Sequence, residues 1–181
     1  MADKYLEQSL EWLLEEEGGW SNHPADRGGA TMYGVTQATY NAWRKKKGRP
    51  QQSVRLMTKE EAYELYDSEY WRAADCHRLP WPISYLVFDA AVNSGVKRGI
   101  KWMQSGIGTN ADGIVGPNTI AKAQAVLDSG DTLALLQIVD ERVTFLARLV
   151  QRVPSQAAFL LGWWRRTQKV LVRALLERID S

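Results

Sequence analysis

The stretch DKYLEQSLEWLLEEEGG, residues 3–19, decides the fold class of the chain. At about 100° per residue of an α-helix, its leucines fall within about 100° of one another; they are Leu6, Leu10, Leu13 and Leu14. The glycine pair that follows is typical of a helix C-terminus. The stretch therefore predicts an amphipathic helix over residues 3–17 with its leucine stripe facing a core.

Helical patterns continue along the chain, punctuated by capping residues. Thr36 can cap a second helix, and Thr58 with Glu61 has the spacing of a capping box. Further helices are predicted over residues 36–47, 58–71, 83–93, 98–105, 117–128, 132–152 and 156–179. Residues 21–35, rich in Gly, Asn, Asp and Pro, predict a functional loop or a small β-hairpin. We expect a mainly α fold in a single compact body.

The charge of the chain is unevenly distributed. Residues 1–141 carry 15 basic and 19 acidic side chains (−4), whereas residues 142–181 carry 8 basic and 2 acidic (+6). This basic tail is either attracted to an anionic surface or forms a solvated helix face. The run of lysines at 45–47 is typical of a solvated helix end, so no nucleic-acid partner is expected.

Several other classes of protein and site are disfavoured. No run approaches the roughly 18 to 20 apolar residues that cross a bilayer, and the charged N-terminal stretch does not resemble a secretory signal. We therefore expect the chain to begin in the cytoplasm. Cys76 is the only cysteine, which excludes an internal disulfide. The two histidines, His23 and His77, lack the spacing of a common zinc motif, so neither a metal nor a cofactor is expected.

Glu17 stands out among the three consecutive glutamates of the first predicted helix. It projects to the middle of the leucine stripe, whereas Glu15 points the opposite way. Apolar surroundings and the negative end of the helix dipole both raise the pKa of a carboxyl. A glutamate kept protonated near neutral pH is what protonation of a glycosidic oxygen requires. The alternative is that Glu17 reaches solvent at a frayed helix end.

Asp26 and Thr31 follow Glu17 on the Gly-rich segment. Hydrolysis of a sugar bond needs an acid on one side and a group that positions water on the other. A carboxylate and a hydroxyl on a segment that folds back over the helix end would supply the second function. The alternative is ordinary turn chemistry for the Asp-Arg-Gly-Gly run.

Residues 17–40, EGGWSNHPADRGGATMYGVTQATY, resemble glycoside hydrolase family 108, the bacterial and phage N-acetylmuramidases. The resemblance implies that Glu17 is the catalytic acid. The Glu, Asp, Thr order is also similar to the triad of inverting phage lysozymes, although those usually have one more residue between Asp and Thr. It implies that Asp26 and Thr31 are catalytic and that inversion is the stereochemical outcome. We expect Trp20 and Tyr33 to bind substrate.

Residues 89–125 are similar to the predicted peptidoglycan-binding module that follows the catalytic segment in these enzymes. The most recognisable part, around Asp112 and Gly116–Thr119, is a turn that feeds a helix N-terminus. Such a terminus binds an acidic or carbonyl group, or serves only to cap the helix. We expect Asn93, Asp112 and Asn118 to bind substrate, with a catalytic segment over residues 1–94 and a wall-binding module over residues 95–181.

The resemblance implies a lysozyme-like fold and cleavage of the β-1,4 bond between N-acetylmuramic acid and N-acetylglucosamine in peptidoglycan. It further implies a monomeric phage-type endolysin that is held in the host cytoplasm until a holin releases it to the periplasm and cell wall. A lytic transglycosylase, and a non-catalytic wall-binding or membrane-active protein, are the alternatives. Asp26 favours hydrolysis, because transglycosylases typically use one glutamate and no water-positioning aspartate.

The last predicted helix carries an apolar stripe opposite several basic residues. The stripe comprises Leu171, Val172, Leu175, Leu176 and Ile179. We expect it to pack on the body and to leave the arginines exposed toward the negatively charged envelope. A basic amphipathic helix can instead enter an anionic membrane interface, so lipid contact through this helix stays open.

Overall fold

A computed structural model describes residues 3–17, 20–21 and 30–179. The side chains of Glu16, Glu17, Ser21 and Ile179 lie outside that description. The chain divides into two units, residues 1–73 and residues 74–181. No helix in the described part is long and apolar enough to cross a membrane.

In its described residues, the first unit combines three α-helices with a small antiparallel sheet. Its elements are α1 (Lys4–Glu17), β1 (Trp20–Ser21), β2 (Thr31–Met32), β3 (Val35–Thr36), α2 (Gln37–Lys46) and α3 (Lys59–Tyr66), with a 3₁₀ turn at Val54–Leu56 and a π-helical turn at Asp67–Trp71. The strands follow the order β1-β2-β3.

Helix α1 begins where Asp3 caps it. Its Oδ1 accepts a hydrogen bond from the backbone N–H of Tyr5 at 3.0 Å, and its Oδ2 accepts one from Trp71 Nε1 at 2.9 Å. The face that carries Leu6, Leu10 and Leu13 is buried, as the sequence predicts. Burying each leucine is worth about 1.5–3 kcal/mol, so this face fixes the orientation of the helix.

Helices α2 and α3 begin at the predicted caps. Thr36 Oγ1 accepts from the backbone N–H of Thr39, and Thr58 and Glu61 form a capping box. The Glu61 carboxylate also binds Arg44 Nη1 at 2.7 Å, which ties α3 to α2. One glutamate therefore both starts a helix and joins two helices.

The second unit is built from α4 (Ile83–Ser94), α5 (Val96–Gly106), α6 (Pro117–Asp128), α7 (Thr132–Arg152) and α8 (Leu160–Ile179), with 3₁₀ turns at Cys76–Arg78 and Pro154–Phe159. Helix α4 is almost wholly buried and packs on α5 and α8. Pro117 occupies the first turn of α6, as predicted. The helix predicted over residues 156–179 begins later than predicted, at Leu160, because residues 154–159 form the 3₁₀ turn.

Gln104 organises the loop between α5 and α6. Its side chain is buried, donates to Asp112 Oδ1 at 2.8 Å and to the Ile114 carbonyl at 3.0 Å, and accepts from the Gly113 backbone N–H at 2.8 Å. A buried amide that bonds in this way replaces the backbone pairing that a loop lacks.

The predicted packing of α8 is wrong for part of the stripe, although Leu171 and Leu175 are half-buried. The structure buries Thr167, Val170 and Ala174, whereas Val172 and Leu176 are 52% and 55% exposed. Thr167 and Ala174 are small, and the same side of the helix carries Arg166, which binds a buried carboxylate. Arg166 is therefore largely buried rather than exposed as predicted.

The mainly α, lysozyme-like fold class is confirmed, with residues 31–36 forming the small β-hairpin.

Candidate active site and wall-binding surface

The end of α1 leads directly into the sheet. In the antiparallel β1–β2 pair, Trp20 lies opposite Met32 and Ser21 opposite Thr31. Glu17 is the last residue of α1 and precedes Trp20 by three residues, so their Cα atoms are at most about 11 Å apart. Strand pairing thus holds Thr31 beside the segment that follows Glu17.

A tight turn joins β2 to β3. Tyr33 and Gly34 occupy its central positions with φ values of +54° and +76°, the left-handed pair that a type I′ turn requires. Glycine adopts this conformation freely, but a tyrosine does so at a cost of order 1–3 kcal/mol. Tyr66 Oη donates to the Tyr33 carbonyl at 2.8 Å and secures the turn against the end of α3. Such strained backbone is concentrated at functional sites.

Trp20 presents an aromatic surface beside this turn. Its side chain is 40% exposed, and the Arg55 guanidinium lies 5.5 Å from the ring centroid. A cation over one face of an indole orders the ring, and an ordered, exposed ring is a surface on which a sugar can pack. Arg55 was not predicted from the sequence, because it is brought to Trp20 by folding alone.

The predicted catalytic residues differ in how far they are described. Thr31 is half-buried in β2. The Glu17 backbone ends α1, but its side chain lies outside the described residues, and so does all of Asp26. The structure thus brings Trp20, Thr31 and Tyr33 together on one small sheet beside the end of α1.

The substrate-binding residues predicted in the second unit lie on different elements. Asp112 Oδ1 accepts from Gln104 and from the Ile114 backbone N–H, both at 2.8 Å, and these two hydrogen bonds lower the pKa of its carboxyl. Asn118 is exposed in the first turn of α6. Asn93, near the end of α4, donates to the Asp89 carbonyl at 2.8 Å and lines a cavity of about 200 Å³.

A buried charge cluster in the same unit was not predicted from the sequence. Asp89 accepts from Arg142 Nη1 at 2.5 Å and from Arg166 Nη2 at 2.9 Å. Burial raises the pKa of the Asp89 carboxyl, but the two guanidinium groups lower it more, so the net shift is downward. The sequence does contain a signal for this cluster, because Asp89 is the one charged residue of α4 and a buried carboxylate requires a cationic partner.

Among the described residues, no three His, Cys, Asp or Glu side chains are arranged to hold a metal ion. Cys76 is buried.

Comparisons with known proteins match two successive segments of the chain. Residues 10–95 match the family model of glycosyl hydrolase 108, and residues 98–168 match that of a predicted peptidoglycan domain. The solved structure of SagA from Brucella abortus superposes with a TM-score of 0.80 at 29% identity, over 97% of this chain and 96% of that one. No curated protein matches the chain. Residues 10–95 are therefore a glycosyl hydrolase 108 segment and residues 98–168 a peptidoglycan-binding segment, which together support a glycoside hydrolase that acts on peptidoglycan.

Proposed function

We propose that the chain is an N-acetylmuramidase, which hydrolyses the β-1,4 bond from N-acetylmuramic acid to N-acetylglucosamine with Glu17 as general acid. One observation carries the proposal. The last residue of α1 is followed almost at once by a strand pair that bears Trp20 and Thr31, inside the segment that matches the glycosyl hydrolase model.

The register of α1 supports the role of Glu17. The buried residues Leu10 and Leu13 precede it by seven and four positions, the spacing of one helix face. A carboxyl on this face, at the negative end of the helix, would stay protonated nearer neutral pH than an exposed glutamate. It could then give its proton to the leaving oxygen as the C1–O bond breaks.

The attacking water is assigned to Asp26 and Thr31. Asp26 would take the proton of the water whose oxygen bonds to C1, and the Thr31 hydroxyl would help to hold that water. A water between the two carboxyl groups requires a separation of about 6.5–9.5 Å and inverts the anomeric centre. Proton NMR of the first-formed product should therefore show the α anomer, and a β anomer would reject inversion.

Mass spectrometry of digested, purified peptidoglycan tests the reaction itself. A hydrolase leaves reducing muramic acid ends, whereas a lytic transglycosylase leaves 1,6-anhydro ends that are lighter by one water. We expect reducing ends. Products that carry anhydro ends would replace the hydrolase with the transglycosylase.

We also propose a division of labour near residue 95, with catalysis over residues 1–94 and wall binding over residues 95–181. The two family models meet between residues 95 and 98, which supports this division. In a cell, a monomeric enzyme of this kind would lyse its host once a holin admits it to the wall. Lysis that requires co-expression of a holin would support this role, whereas prompt lysis without one would contradict it.

A second candidate function, contact with an anionic lipid surface, is favoured by an exposed face of the second unit. Large apolar side chains are exposed where the turn after α7 leads into α8: Val153, Phe159, Leu160, Leu161 and Trp164. Residues 142–176 contain seven basic side chains and no acidic one. Apolar groups flanked by cations are typical of proteins that enter an anionic membrane interface.

Co-sedimentation with vesicles tests this second function. We expect the chain to bind phosphatidylglycerol vesicles, to lose binding as salt rises, and to ignore phosphatidylcholine vesicles. The double variant Leu160→Asp, Leu161→Asp should abolish binding. Unchanged binding by that variant, or an apolar face that instead joins two copies of the chain in analytical ultracentrifugation, would contradict the lipid contact.

A further inference from the structure

The cavity beside Asn93 has a composition that the proposed reaction does not use. It has a volume of about 200 Å³, and all of its walls come from the second unit. Its polar lining consists of two guanidinium groups, an amide and a hydroxyl, and its remaining walls are aromatic or aliphatic. The lining residues are Asn93, Ser94, Arg98, Arg142, Phe145, Leu146, Leu149 and Trp163, and none of them is acidic.

Arg98 brings to this cavity a positive charge that pairs with no carboxylate of the described residues within 4 Å. Its Nη1 donates to the Ser94 carbonyl at 2.9 Å, and its guanidinium carbon lies 4.3 Å from the centroid of the Phe145 ring. The stacking orders the guanidinium plane before any ligand arrives, and most of its five N–H donors remain available. A planar, ordered guanidinium is well suited to bind a carboxylate through two parallel hydrogen bonds.

Arg142 adds a second guanidinium to the lining of the cavity, and its position is fixed by Asp89. Its side chain is 6% exposed, and Asp89 holds its Nη1. Its Nε is buried and has no hydrogen-bond partner in the described part of the protein. Asp89 therefore satisfies only part of the hydrogen-bonding capacity of this guanidinium.

We propose that this cavity binds a free carboxylate of the peptide stem of peptidoglycan. The two arginines favour an anionic ligand. The apolar walls formed by Phe145, Leu146 and Trp163 favour a carboxylate that carries a short aliphatic side chain over an inorganic anion. The sugars of the glycan strand carry neutral acetamido and hydroxyl groups, which do not call for two guanidinium groups. The inference takes from the proposed function only that peptidoglycan is the ligand.

The test uses the full-length chain and N-acetylmuramyl-tetrapeptide, a probe with no bond between sugars, so cleavage of the glycan plays no part. Isothermal titration calorimetry should show that Arg98→Gln weakens binding by at least about tenfold, the loss of one charge-assisted hydrogen bond. Arg165→Gln is the matched control, because it removes the same charge from an exposed position outside the cavity. It should bind within about twofold of the unmodified chain.

Two further probes identify the ligand group. The same compound with its peptide carboxyls amidated should bind the unmodified chain at least about tenfold more weakly, the loss of the same charge-assisted bond. N-acetylglucosamine and acetate should not compete. The inference is overturned if Arg98→Gln binds like the control variant, if amidation has no effect, or if acetate competes at equal concentration. If the muramidase proposal alone is wrong, digested peptidoglycan will lack reducing muramic acid ends, but the binding of N-acetylmuramyl-tetrapeptide will be unchanged.

Discussion

Each unit of the molecule contains a carboxylate held by two arginines, and the two clusters differ in depth. In the first unit, Glu61 binds Arg44 at 2.7 Å and Arg49 at 3.5 Å, and Arg49 is 40% exposed and also lies near a second glutamate, Glu64. In the second unit, the side chains of Asp89, Arg142 and Arg166 are 5%, 6% and 14% exposed. Water reaches the first cluster through Arg49, although Arg44 and Glu61 are themselves only 9% and 15% exposed, whereas all three members of the second cluster are largely buried.

The difference bears on what each cluster does. A shallow ion pair contributes little to stability, while removing one member of a buried pair leaves an uncompensated charge. The Glu61 cluster joins α2 to α3 at a helix cap. The Asp89 cluster joins α4 to α7 and α8 and fixes the Arg142 head that lines the cavity described above. The deeper cluster thus has both a structural and a positioning role.

Asp89→Asn should have the largest effect on stability. It leaves two largely buried guanidinium groups without their carboxylate and should lower the free energy of unfolding by about 3–5 kcal/mol, measured by urea denaturation. Asp140→Asn, an exposed change on α7, should stay within about 0.5 kcal/mol of the unmodified chain. Equal effects of the two variants would contradict the account of the buried cluster.

The contribution of the Asp89 cluster to the free energy of unfolding should depend on pH. The pKa of Asp89 is lowered from its ordinary 3.8 in the folded chain, so its stabilisation is fully present above that pH and is lost as the pH falls through the folded pKa. The difference in unfolding free energy between the unmodified chain and Asp89→Asn should therefore shrink below about pH 4. A difference that stays constant down to pH 2 would show that the carboxylate charge is not what stabilises the cluster.

Glu61→Gln should have a smaller effect, and Arg49→Gln the smallest. Glutamine keeps part of the hydrogen bonding to Arg44 and Tyr40, so we expect a loss of about 1–3 kcal/mol. Arg49 is exposed and should contribute no more than about 1 kcal/mol. Chemical denaturation gives the free energy of unfolding of both variants. If Arg49→Gln is destabilised as much as Asp89→Asn, the two clusters do not differ as described.

Local signals in the sequence predicted most of the helices, because capping and periodicity act within a few residues. Thr36, Thr58 and Pro117 begin helices where predicted. What failed depends on contacts distant in sequence. The buried face of α8 follows from the reach of Arg166 to Asp89, 77 residues away, which outweighs the leucine pattern of the helix.

The candidate site was predictable only in part, for the same reason. The placement of Thr31 beside the segment after Glu17 follows from a local strand pair. The Arg55–Trp20 contact and the cavity of the second unit depend on distant segments meeting. The periodicity of a sequence does not indicate which distant segments come into contact.

The central claim, that Glu17 is the general acid, is tested most directly by the activity of Glu17→Gln on purified cell walls. We expect a loss of at least about 10²-fold with the thermal midpoint unchanged, because a general acid is removed without a packing change. Glu15→Gln, the same change at an exposed position of α1, should keep full activity. A Glu17→Gln protein that retains more than a tenth of the activity would contradict the assignment.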